Sequence, residues 1–383
     1  MNTIITLAPS WPSKYKKGDC VFLYEQIKNL ALRSNNHYIV IVGYPVAWYF
    51  KNRKNIFLEK PITINLPNVK IVHFFYINKF ETFFSYYSKL KSLFEKIVKN
   101  KRSVLIHAHF LNMGYQASKL KNEFGIDFIL TEHSSKFIHY FEQFHFTPSQ
   151  VNNILNEATQ IIAVSPLLKN DIIAQSDIQD KTKIEVIPNG VDVERFYPSE
   201  EKKTKFNLLF IGLLTERKGI TILFEAFLKL QNNFDYTLTL VGAGDLMPYC
   251  IEFIKTHALE NRINLLGAIE NSVLPKIINQ QHVLILPSFN ESFGVVVIEA
   301  LACGIPAIVT ACGGPEYIVD ESFLGEVIPT GNSEALANAI EKVRLNYTLY
   351  DTTKIRNNVE TRFSWDTIAA QILHKYDSID LIL

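Results

Sequence analysis

Short apolar runs alternate with amphipathic stretches along the first half of the chain. Continuous runs of this kind, rich in Ile, Val and Phe, are typical of strands buried on both faces of a parallel sheet. They span residues 4–7, 38–42, 69–72, 104–106, 128–130 and 161–164. Between them, apolar side chains recur at helical spacing in residues 20–32, 80–98 and 113–124. This alternation predicts a parallel sheet that is covered by helices.

The same pattern starts again in the second half of the chain. Its strand-like runs span residues 208–211, 238–241, 263–266, 283–286 and 307–309. The restart predicts an α/β protein of two tandem doubly wound domains, in which ligands bind at the carboxyl ends of the strands. The segment at 188–198, which contains Pro and Gly, and the charged link at 200–203 mark the boundary. We therefore predict an N-terminal domain of residues 1–195 and a C-terminal domain of residues 196–365.

Composition narrows the class of protein further. The 383 residues are 48% hydrophobic and 20% charged, which excludes a chain that is mainly disordered. The four cysteines form neither a CxxC pair nor a zinc-type spacing, so we expect reduced thiols rather than a disulfide framework. No apolar run reaches the ~18 residues of a membrane-spanning helix, and no cationic leader precedes the first apolar stretch. We expect a cytoplasmic protein.

The net charge of +1 hides an asymmetry between the halves. Residues 1–195 carry 24 Lys and Arg against 16 Asp and Glu, whereas the remaining residues carry 15 against 22. A basic N-terminal half suits an anionic partner such as a membrane surface, nucleic acid or a phosphorylated acceptor, although charge alone favours an ordinary solvated surface. The segment from Phe74 to Arg102 mixes aromatics with lysines, which fits either an interfacial helix or a core helix with a basic outer face. No nucleic-acid-binding motif is present, so we expect no nucleic-acid partner.

The strongest chemical signal is the segment from Pro287 to Pro306. A strand-like run ends at Pro287, a loop carries Glu291, and an apolar helical stretch begins near Gly294. The backbone N–H groups of Phe293, Gly294 and Val295 would then point out of a helix N-terminus, where phosphate or sugar oxygens can bind.

Two carboxylates flank this predicted helix start. Eight positions at 100° per residue place Glu291 and Glu299 on one broad side of a helix. Glu299 lies inside the apolar run from Val295 to Ala302, where an unpaired carboxylate would be costly. A solvated acidic helix does not explain that position, so we interpret both glutamates as ligand-binding residues.

These residues resemble the glutamate-x7-glutamate signature of the retaining family 4 glycosyltransferases, which have two Rossmann-like domains in the GT-B fold. The similarity extends through Ile187–Asp192, Ile211–Ile220, Val241–Gly244 and Gly313–Glu316. In the N-terminal half, Ser10–Pro12 with Gly18, His107–Phe110 and Thr131–Ser135 also match family segments. The resemblance implies a donor cleft between the domains and a C-terminal helix, residues 366–383, that returns to the N-terminal domain.

The resemblance implies roles for named residues. Lys218 neutralises the leaving diphosphate, Glu299 accepts hydrogen bonds from the ribose, and Glu291 contacts the transferred sugar. Many members have Arg directly after the strand glycine, where this chain has Leu213, so Arg217 is the candidate replacement. The remaining donor-binding candidates are Gly212, Gly242, Gly244, Ser292, Phe293, Gly294 and Val295. As a dinucleotide fingerprint the turn from Gly242 to Gly244 is weak, because Met247 occupies the third glycine position.

The N-terminal half supplies the other candidates. By resemblance, His133 is the active-site histidine near the transferred sugar, and the acceptor side includes Trp11, Lys17 and Gly18. His107 and His109 alternate along a strand and so share a face, but no third ligand occurs at useful spacing. We therefore expect structural roles for both and no metal site.

The sequence as a whole predicts a hexosyltransferase-type enzyme. We expect it to move a sugar from a UDP- or GDP-sugar to a lipid-linked or surface-polysaccharide acceptor, with retention, no metal and no cofactor. Front-face attack through an ion-pair-like state would need no protein nucleophile. The N-terminal domain could dock at the inner face of a membrane. Two alternatives stay open: a non-hydrolysing epimerase and a catalytically silent subunit that supports a partner transferase.

Overall fold

The structure, a computed structural model, forms two compact units. It describes residues 2–13, 18–52, 54, 59–76, 83–99, 101, 103–134, 137, 145–199, 205–230 and 236–379. Unit 1 comprises Met1–Asn189 and Ile368–Leu383, and unit 2 comprises Gly190–Thr367. The chain therefore enters unit 2 once and returns to unit 1 for its last residues.

Unit 1 is built on a parallel sheet with the strand order β3-β2-β1-β4-β5-β6-β7. Its strands are β1 (Thr3–Ala8), β2 (His37–Pro45), β3 (Val69–Tyr76), β4 (Val104–His109), β5 (Phe128–Glu132), β6 (Gln160–Ala163) and β7 (Ile184–Val186). The helices between them are α1 (Val21–Leu32), α2 (Val46–Lys51), α3 (Phe83–Val98), α4 (Leu111–Phe124), α5 (Pro148–Glu157) and α6 (Pro166–Ala174). The core lies on both faces of the central strands, which are buried along their length.

Unit 2 repeats this plan with the order β10-β9-β8-β11-β12-β13, again all parallel. Its strands are β8 (Phe206–Ile211), β9 (Tyr236–Val241), β10 (Ile263–Gly267), β11 (Val283–Leu286), β12 (Ala307–Thr310) and β13 (Gly325–Ile328). Its helices are α7 (Ile220–Lys229), α8 (Met247–Thr256), α9 (Leu274–Asn279), α10 (Val295–Ala302), α11 (Pro315–Ile318), α12 (Ser333–Leu345) and α13 (Thr352–Phe363). The predicted fold class of two parallel α/β domains is confirmed.

The edge strands differ from the sequence-based prediction. We predicted that residues 69–72 would be buried on both faces, but β3 is partly exposed along its length because it forms one edge of the unit 1 sheet. The pattern also missed β7 and β13, which are short edge strands that each contain a glutamate. A strand with one neighbour does not need a continuous apolar run, so the rule for buried strands overlooks it.

The first unit boundary falls at 189/190, six residues before the position we predicted. The segment from Gly190 to Phe196 packs on unit 2: the Val191 N–H donates to the Phe363 carbonyl at 2.8 Å. The Arg356 guanidinium donates to the carbonyls of Val193 and Phe196 at 3.0 and 2.9 Å. These bonds attach the segment to α13 rather than to unit 1.

The last helix, α14 (Trp365–Asp377), belongs to unit 1 from Ile368 onward. Tyr376 is fully buried there, and its hydroxyl lies 2.7 Å from Nδ1 of His107 on β4. Lys375 forms an ion pair with Glu185 of β7. The C-terminal helix is thus part of the unit 1 core.

Helix α3 carries the mixed aromatic and basic segment. Tyr86, Leu90 and Phe94 are buried in unit 1, while Lys91 pairs with Glu123 of α4 at 2.5 Å. The rest of the segment, residues 77–82, 100 and 102, lies outside the described residues. The described part favours a core helix with a basic outer face over an aromatic interfacial helix. Among the described helices, none is long and apolar enough to cross a membrane.

Candidate functional site

In unit 2, strands β8 and β11 lie side by side at the centre of the sheet. The chain proceeds outwards from β8 on one side and from β11 on the other, so the two strands flank a topological switch point. Ligands of open α/β sheets bind outside the carboxyl ends of strands at such points. The loops after β8 and β11 carry Lys218 and Glu291, the two candidates in this unit that we assigned to the reaction.

The Lys218 ammonium forms an ion pair with Oε2 of Glu291. Each side chain is 13% exposed, so the pair is largely shielded from water but open on one side. The two residues are 73 positions apart in sequence. The structure therefore brings together two predicted site residues from different motifs.

Backbone bonds hold these two loops together. The Phe289 N–H donates to the Arg217 carbonyl at 2.9 Å. The Arg217 guanidinium in turn donates to the Asn290 carbonyl at 3.1 Å, although the side chain is exposed. Arg217 therefore reaches towards the glutamate loop, and Leu213 projects into solvent.

A third loop, after β12, completes the arrangement. Residue Glu291 forms a parallel bridge with Gly313, and its carbonyl accepts the Gly314 N–H at 2.9 Å. The Glu316 carboxylate accepts the N–H groups of Cys312 and Gly313 at 2.9 and 2.7 Å. A Cβ on Gly314 would lie 2.2 Å from the Cα of Phe293, so only glycine permits this approach. Glu316 belongs to a motif segment for which the sequence predicts no role, and in the structure it anchors this loop.

Helix α10 begins directly after the glutamate loop, with Gly294 as its N-cap. The Gly294 carbonyl is the first acceptor of the helix and takes the Val297 N–H at 2.9 Å, so the N–H groups of Val295 and Val296 have no acceptor within the helix and point out of its N-terminus. Phe293 is buried against the ring of Phe363, with the ring centroids 5.8 Å apart, whereas Ser292 is half-buried. Glu299 is only 7% exposed, which agrees with the position inside the apolar run from which we predicted it.

The glycines after β8 and β9 face one another. A Cβ on Gly242 would lie 1.8 Å from the Gly212 carbonyl oxygen, and one on Gly244 would lie 2.3 Å from the Leu214 oxygen. Close packing of the two strand ends thus explains Gly242 and Gly244 without a ligand. Their contact with a donor stays a prediction.

In unit 1, three histidines stack at the carboxyl ends of β4 and β5. The ring centroids of His107 and His109 lie 4.2 Å apart, and those of His109 and His133 lie 5.3 Å apart. Nδ1 of His109 is 3.0 Å from Nε2 of His133. His107 bonds instead to Tyr376 and to the Thr131 hydroxyl, each at 2.7 Å. We predicted structural roles for His107 and His109, and the structure places both beside His133.

The three histidines are uncharged at neutral pH. Burial lowers the pKa of His107 and of His133 from 6.5 to about 3. Burial, reinforced by its two histidine neighbours, also holds the pKa of His109 well below 6.5. The cluster can therefore donate or accept hydrogen bonds but supplies no positive charge.

The carboxylate of Glu132 anchors the loop that carries His133. One carboxylate oxygen accepts the N–H groups of His133 and Ser134 at 2.8 and 2.7 Å, and the other accepts the Leu111 N–H at 2.9 Å. Burial raises the pKa of Glu132, against the effect of these bonds. Glu132 is not among the residues predicted from the sequence, although its place directly before a candidate histidine at a strand end was a usable signal.

The three residues predicted for the acceptor side differ in their placement. Trp11 is fully buried, and its indole N–H donates to the Ile62 carbonyl at 2.9 Å, so its side chain packs inside unit 1 instead of reaching an acceptor. Gly18 is exposed. Lys17 lies outside the described residues. In the part of the chain that the structure describes, no group of three or more His, Cys, Asp or Glu side chains could hold a metal ion.

Comparison with known proteins gives a consistent result. A family model described as Glycosyltransferase Family 4 matches residues 21–195, and one described as Glycosyl transferases group 1 matches residues 193–360. An uncharacterized glycosyltransferase of Methanocaldococcus jannaschii is 27% identical over 283 residues, which cover 70% of each chain. A phosphatidylinositol N-acetylglucosaminyltransferase subunit of Homo sapiens is 25% identical over 299 residues, which cover 76% of this chain and 60% of that one.

Solved structures share the fold. The sucrose-phosphate synthase from Thermosynechococcus elongatus superposes with a TM-score of 0.79 at 21% identity, covering 98% of both chains. The Anabaena protein HepE in complex with UDP gives a TM-score of 0.77 at 18% identity, covering 99% of this chain and 100% of that one. These likenesses confirm the GT-B fold.

The histidine cluster predicts a pH dependence for the stability of unit 1. In the folded state His107 and His133 stay neutral down to about pH 3, and His109 stays neutral to well below pH 6.5, but each takes up a proton near pH 6.5 when unfolded. The stabilisation is therefore present above pH 6.5 and is lost as the pH falls below it. Between pH 7 and 5.5 we expect a loss of roughly 1 kcal/mol per histidine, or about 3–4 kcal/mol in all. Urea unfolding, followed by pulsed hydrogen exchange in β4 and β5, measures it.

Two variants serve as comparisons in this experiment. His107→Gln should reduce the acid-induced loss by about 1 kcal/mol, since one titrating group is removed. His37→Gln changes an exposed histidine of the same unit and should leave the loss unchanged. A stability of unit 1 that stays constant from pH 7 to 5.5 would show that the cluster is not buried in its neutral form.

Proposed function

Because the chain belongs to family 4 of the glycosyltransferases, we propose that it moves a sugar from a nucleotide-sugar donor to a lipid-linked or surface-polysaccharide acceptor, with retention of configuration. The observation that carries this proposal is the contact between Lys218 and Glu291 beside the start of α10. A cation, a carboxylate and free helix N–H groups then lie at the strand ends where a donor would bind.

Lys218 is assigned to the leaving group. As the bond between the sugar and the diphosphate breaks, negative charge grows on the diphosphate. A fixed ammonium stabilises that charge more in the transition state than in the ground state, which accelerates the reaction. The N–H groups at the start of α10 add partial positive charge of the same kind. With this charge supplied by the chain, we propose that transfer needs no metal and no cofactor.

The two glutamates are assigned to different parts of the donor. Glu299, buried on α10, would accept hydrogen bonds from the ribose hydroxyls. Glu291 would contact the transferred sugar, and its pairing with Lys218 would keep it beside the diphosphate. His133 of unit 1 is assigned to a hydroxyl of the same sugar. None of these residues is placed as a nucleophile, so we propose front-face attack by the acceptor through an ion-pair-like state.

The identity of the substrates rests on similarity. HepE is described with UDP bound, which supports a UDP-sugar donor here, with a GDP-sugar as the other candidate. The human relative is named for transfer to phosphatidylinositol, which supports a lipid-linked acceptor. An epimerase would interconvert nucleotide sugars without an acceptor, and a silent subunit would turn over neither substrate.

Transfer by the purified chain tests the proposal directly. The chain is incubated with UDP-glucose, UDP-N-acetylglucosamine or GDP-mannose, with phosphatidylinositol or a polyprenyl-diphosphate-linked sugar as acceptor and excess EDTA. We expect an α-linked product, identified by NMR, at a rate that EDTA does not change. Lys218→Met should lower the rate by roughly 10²–10³-fold, the typical effect of losing a preorganised electrostatic contact.

Lys229→Met is the matched control, since Lys229 is an exposed lysine on α7 that pairs with Glu334. It should retain the wild-type rate. A β-linked product would overturn retention, and loss of activity in EDTA with rescue by Mg²⁺ or Mn²⁺ would overturn the metal-free mechanism. An epimerised nucleotide sugar without transfer would favour the epimerase.

We also propose that the basic outer surface of unit 1 docks on an anionic membrane. Because the aromatic side chains of Tyr86 and Phe94 on α3 are buried, this docking would rest on charge, through exposed side chains such as Lys96 and Lys99. Vesicles that contain phosphatidylglycerol should bind the protein at 0.1 M salt and release it near 1 M, as the Debye length falls from about 10 to 3 Å. Equal binding to neutral phosphatidylcholine vesicles would contradict this docking mode.

A further inference from the structure

One ring nitrogen of His133 has a hydrogen-bond partner, and the other has none among the described residues. Its Nε2 lies 3.0 Å from Nδ1 of His109. Its Nδ1 is buried without a hydrogen-bond partner among the described residues, and the same holds for Nε2 of His109. Both residues are more than nine-tenths buried. A buried polar atom without a partner costs free energy, so these two atoms call for an explanation.

The ring of His133 is fixed in place by its surroundings. The rings of Phe22 and Phe110 lie 4.7 and 5.1 Å from it, centroid to centroid. Phe110 has a φ of 68°, a strained conformation that non-glycine residues rarely adopt. The strained backbone places the Phe110 side chain against the imidazole. Because the ring is held in this way, its hydrogen bonding depends on which of its two nitrogens carries the proton.

His109 Nδ1 and His133 Nε2 form one hydrogen bond, so only one of these two nitrogens carries a proton. Both imidazoles are neutral, because burial lowers the pKa of each. In the first arrangement, His109 donates from Nδ1, and His133 carries its own proton on Nδ1. In the second, His133 donates from Nε2, which leaves its Nδ1 as a bare acceptor and puts the His109 proton on Nε2.

The two arrangements differ in which N–H is left without a partner. In the unliganded protein it is that of His133, which is 7% exposed, or that of His109, which is fully buried, so the first arrangement already costs less. The difference increases once a ligand binds. A ligand oxygen at His133 Nδ1 would satisfy the buried N–H of the first arrangement and leave only a bare acceptor on His109. In the second arrangement, the N–H of His109 would stay buried and unpaired whatever binds to His133. Unpaired buried N–H groups are rarer in proteins than unpaired acceptors. The first arrangement is therefore the better match to a site that binds an oxygen ligand.

We propose that His109 is a positioning residue that sets the tautomer of His133, so that His133 presents Nδ1–H as a hydrogen-bond donor to a hydroxyl oxygen of the transferred sugar. The inference deepens the proposed function and rests on it for the identity of the ligand. The tautomer itself is a property of the unliganded protein and can be measured without any substrate.

The first experiment reads the tautomer directly. Long-range ¹H–¹⁵N correlation spectra of the full chain, labelled with ¹⁵N-histidine, distinguish a protonated Nδ1 from a protonated Nε2. His133→Asn assigns the signal by its loss. We expect His133 to carry its proton on Nδ1 in the absence of donor. A proton on Nε2 would overturn the proposal.

The second experiment measures kinetics in three variants. His109→Leu removes the bond to His133 and should lower kcat by roughly 10-fold, the effect of one net hydrogen bond, with little change in the donor KM. His109→Asn keeps an amide near the position of Nδ1 and should recover most of that loss. Tyr376→Phe is the matched control, because it removes an equally buried bond to His107, which does not bond to His133. It should preserve both kcat and the His133 signal.

The outcomes separate this inference from the proposed function. Equal losses of kcat in His109→Leu and Tyr376→Phe, or no recovery in His109→Asn, would reduce His109 to a packing residue and overturn the inference. If His109→Leu does not fold, the wild-type tautomer and His109→Asn decide the matter. A wild-type chain that transfers no sugar would contradict the proposed function, while the tautomer measurement would keep its meaning.

Discussion

Three loops at the carboxyl end of the unit 2 sheet approach one another so closely that their backbones make the contacts. Gly314 packs on the backbone of Phe293, and the main chain of Glu291 pairs with the loop after β12. Phe289 in turn donates to the carbonyl of Arg217. Because backbone contacts of this kind leave little freedom, Lys218 and Glu291 are held in one geometry. Interactions that are fixed before the ligand arrives cost no reorganisation during the reaction, which is the condition for electrostatic stabilisation of a leaving group.

The two units carry different chemistry at their strand ends. Unit 2 presents charged groups, with Lys218 paired to Glu291. Unit 1 presents a buried histidine cluster that is uncharged near pH 7. Charge in a shielded site acts on an anionic leaving group, whereas neutral imidazoles recognise hydroxyl groups through the direction of their hydrogen bonds.

Much of this arrangement could be predicted from the sequence, and the exceptions have physical reasons. Central strands have apolar runs because both faces are buried, so most of them were located correctly, whereas the edge strands β7 and β13 were missed. The apolar surroundings of Glu299 in sequence indicated its burial. The bond between Tyr376 and His107 spans 269 residues and has no local signal. Trp11 was predicted from a motif, but its buried indole shows that a motif gives a position in the chain and does not give the direction of a side chain.

The central claim is that Glu291 acts on the reacting sugar while Glu299 holds the donor, and steady-state kinetics of Glu291→Gln and Glu299→Gln test it most directly. Both substitutions keep the shape of the side chain, and an unchanged unfolding midpoint would show that each variant is folded. Glu299→Gln should raise the donor KM and spare kcat, because ribose binding is equal in the ground and transition states. Glu291→Gln should lower kcat by roughly 10²–10³-fold. A folded Glu291→Gln variant that turns over at the wild-type rate would contradict the account.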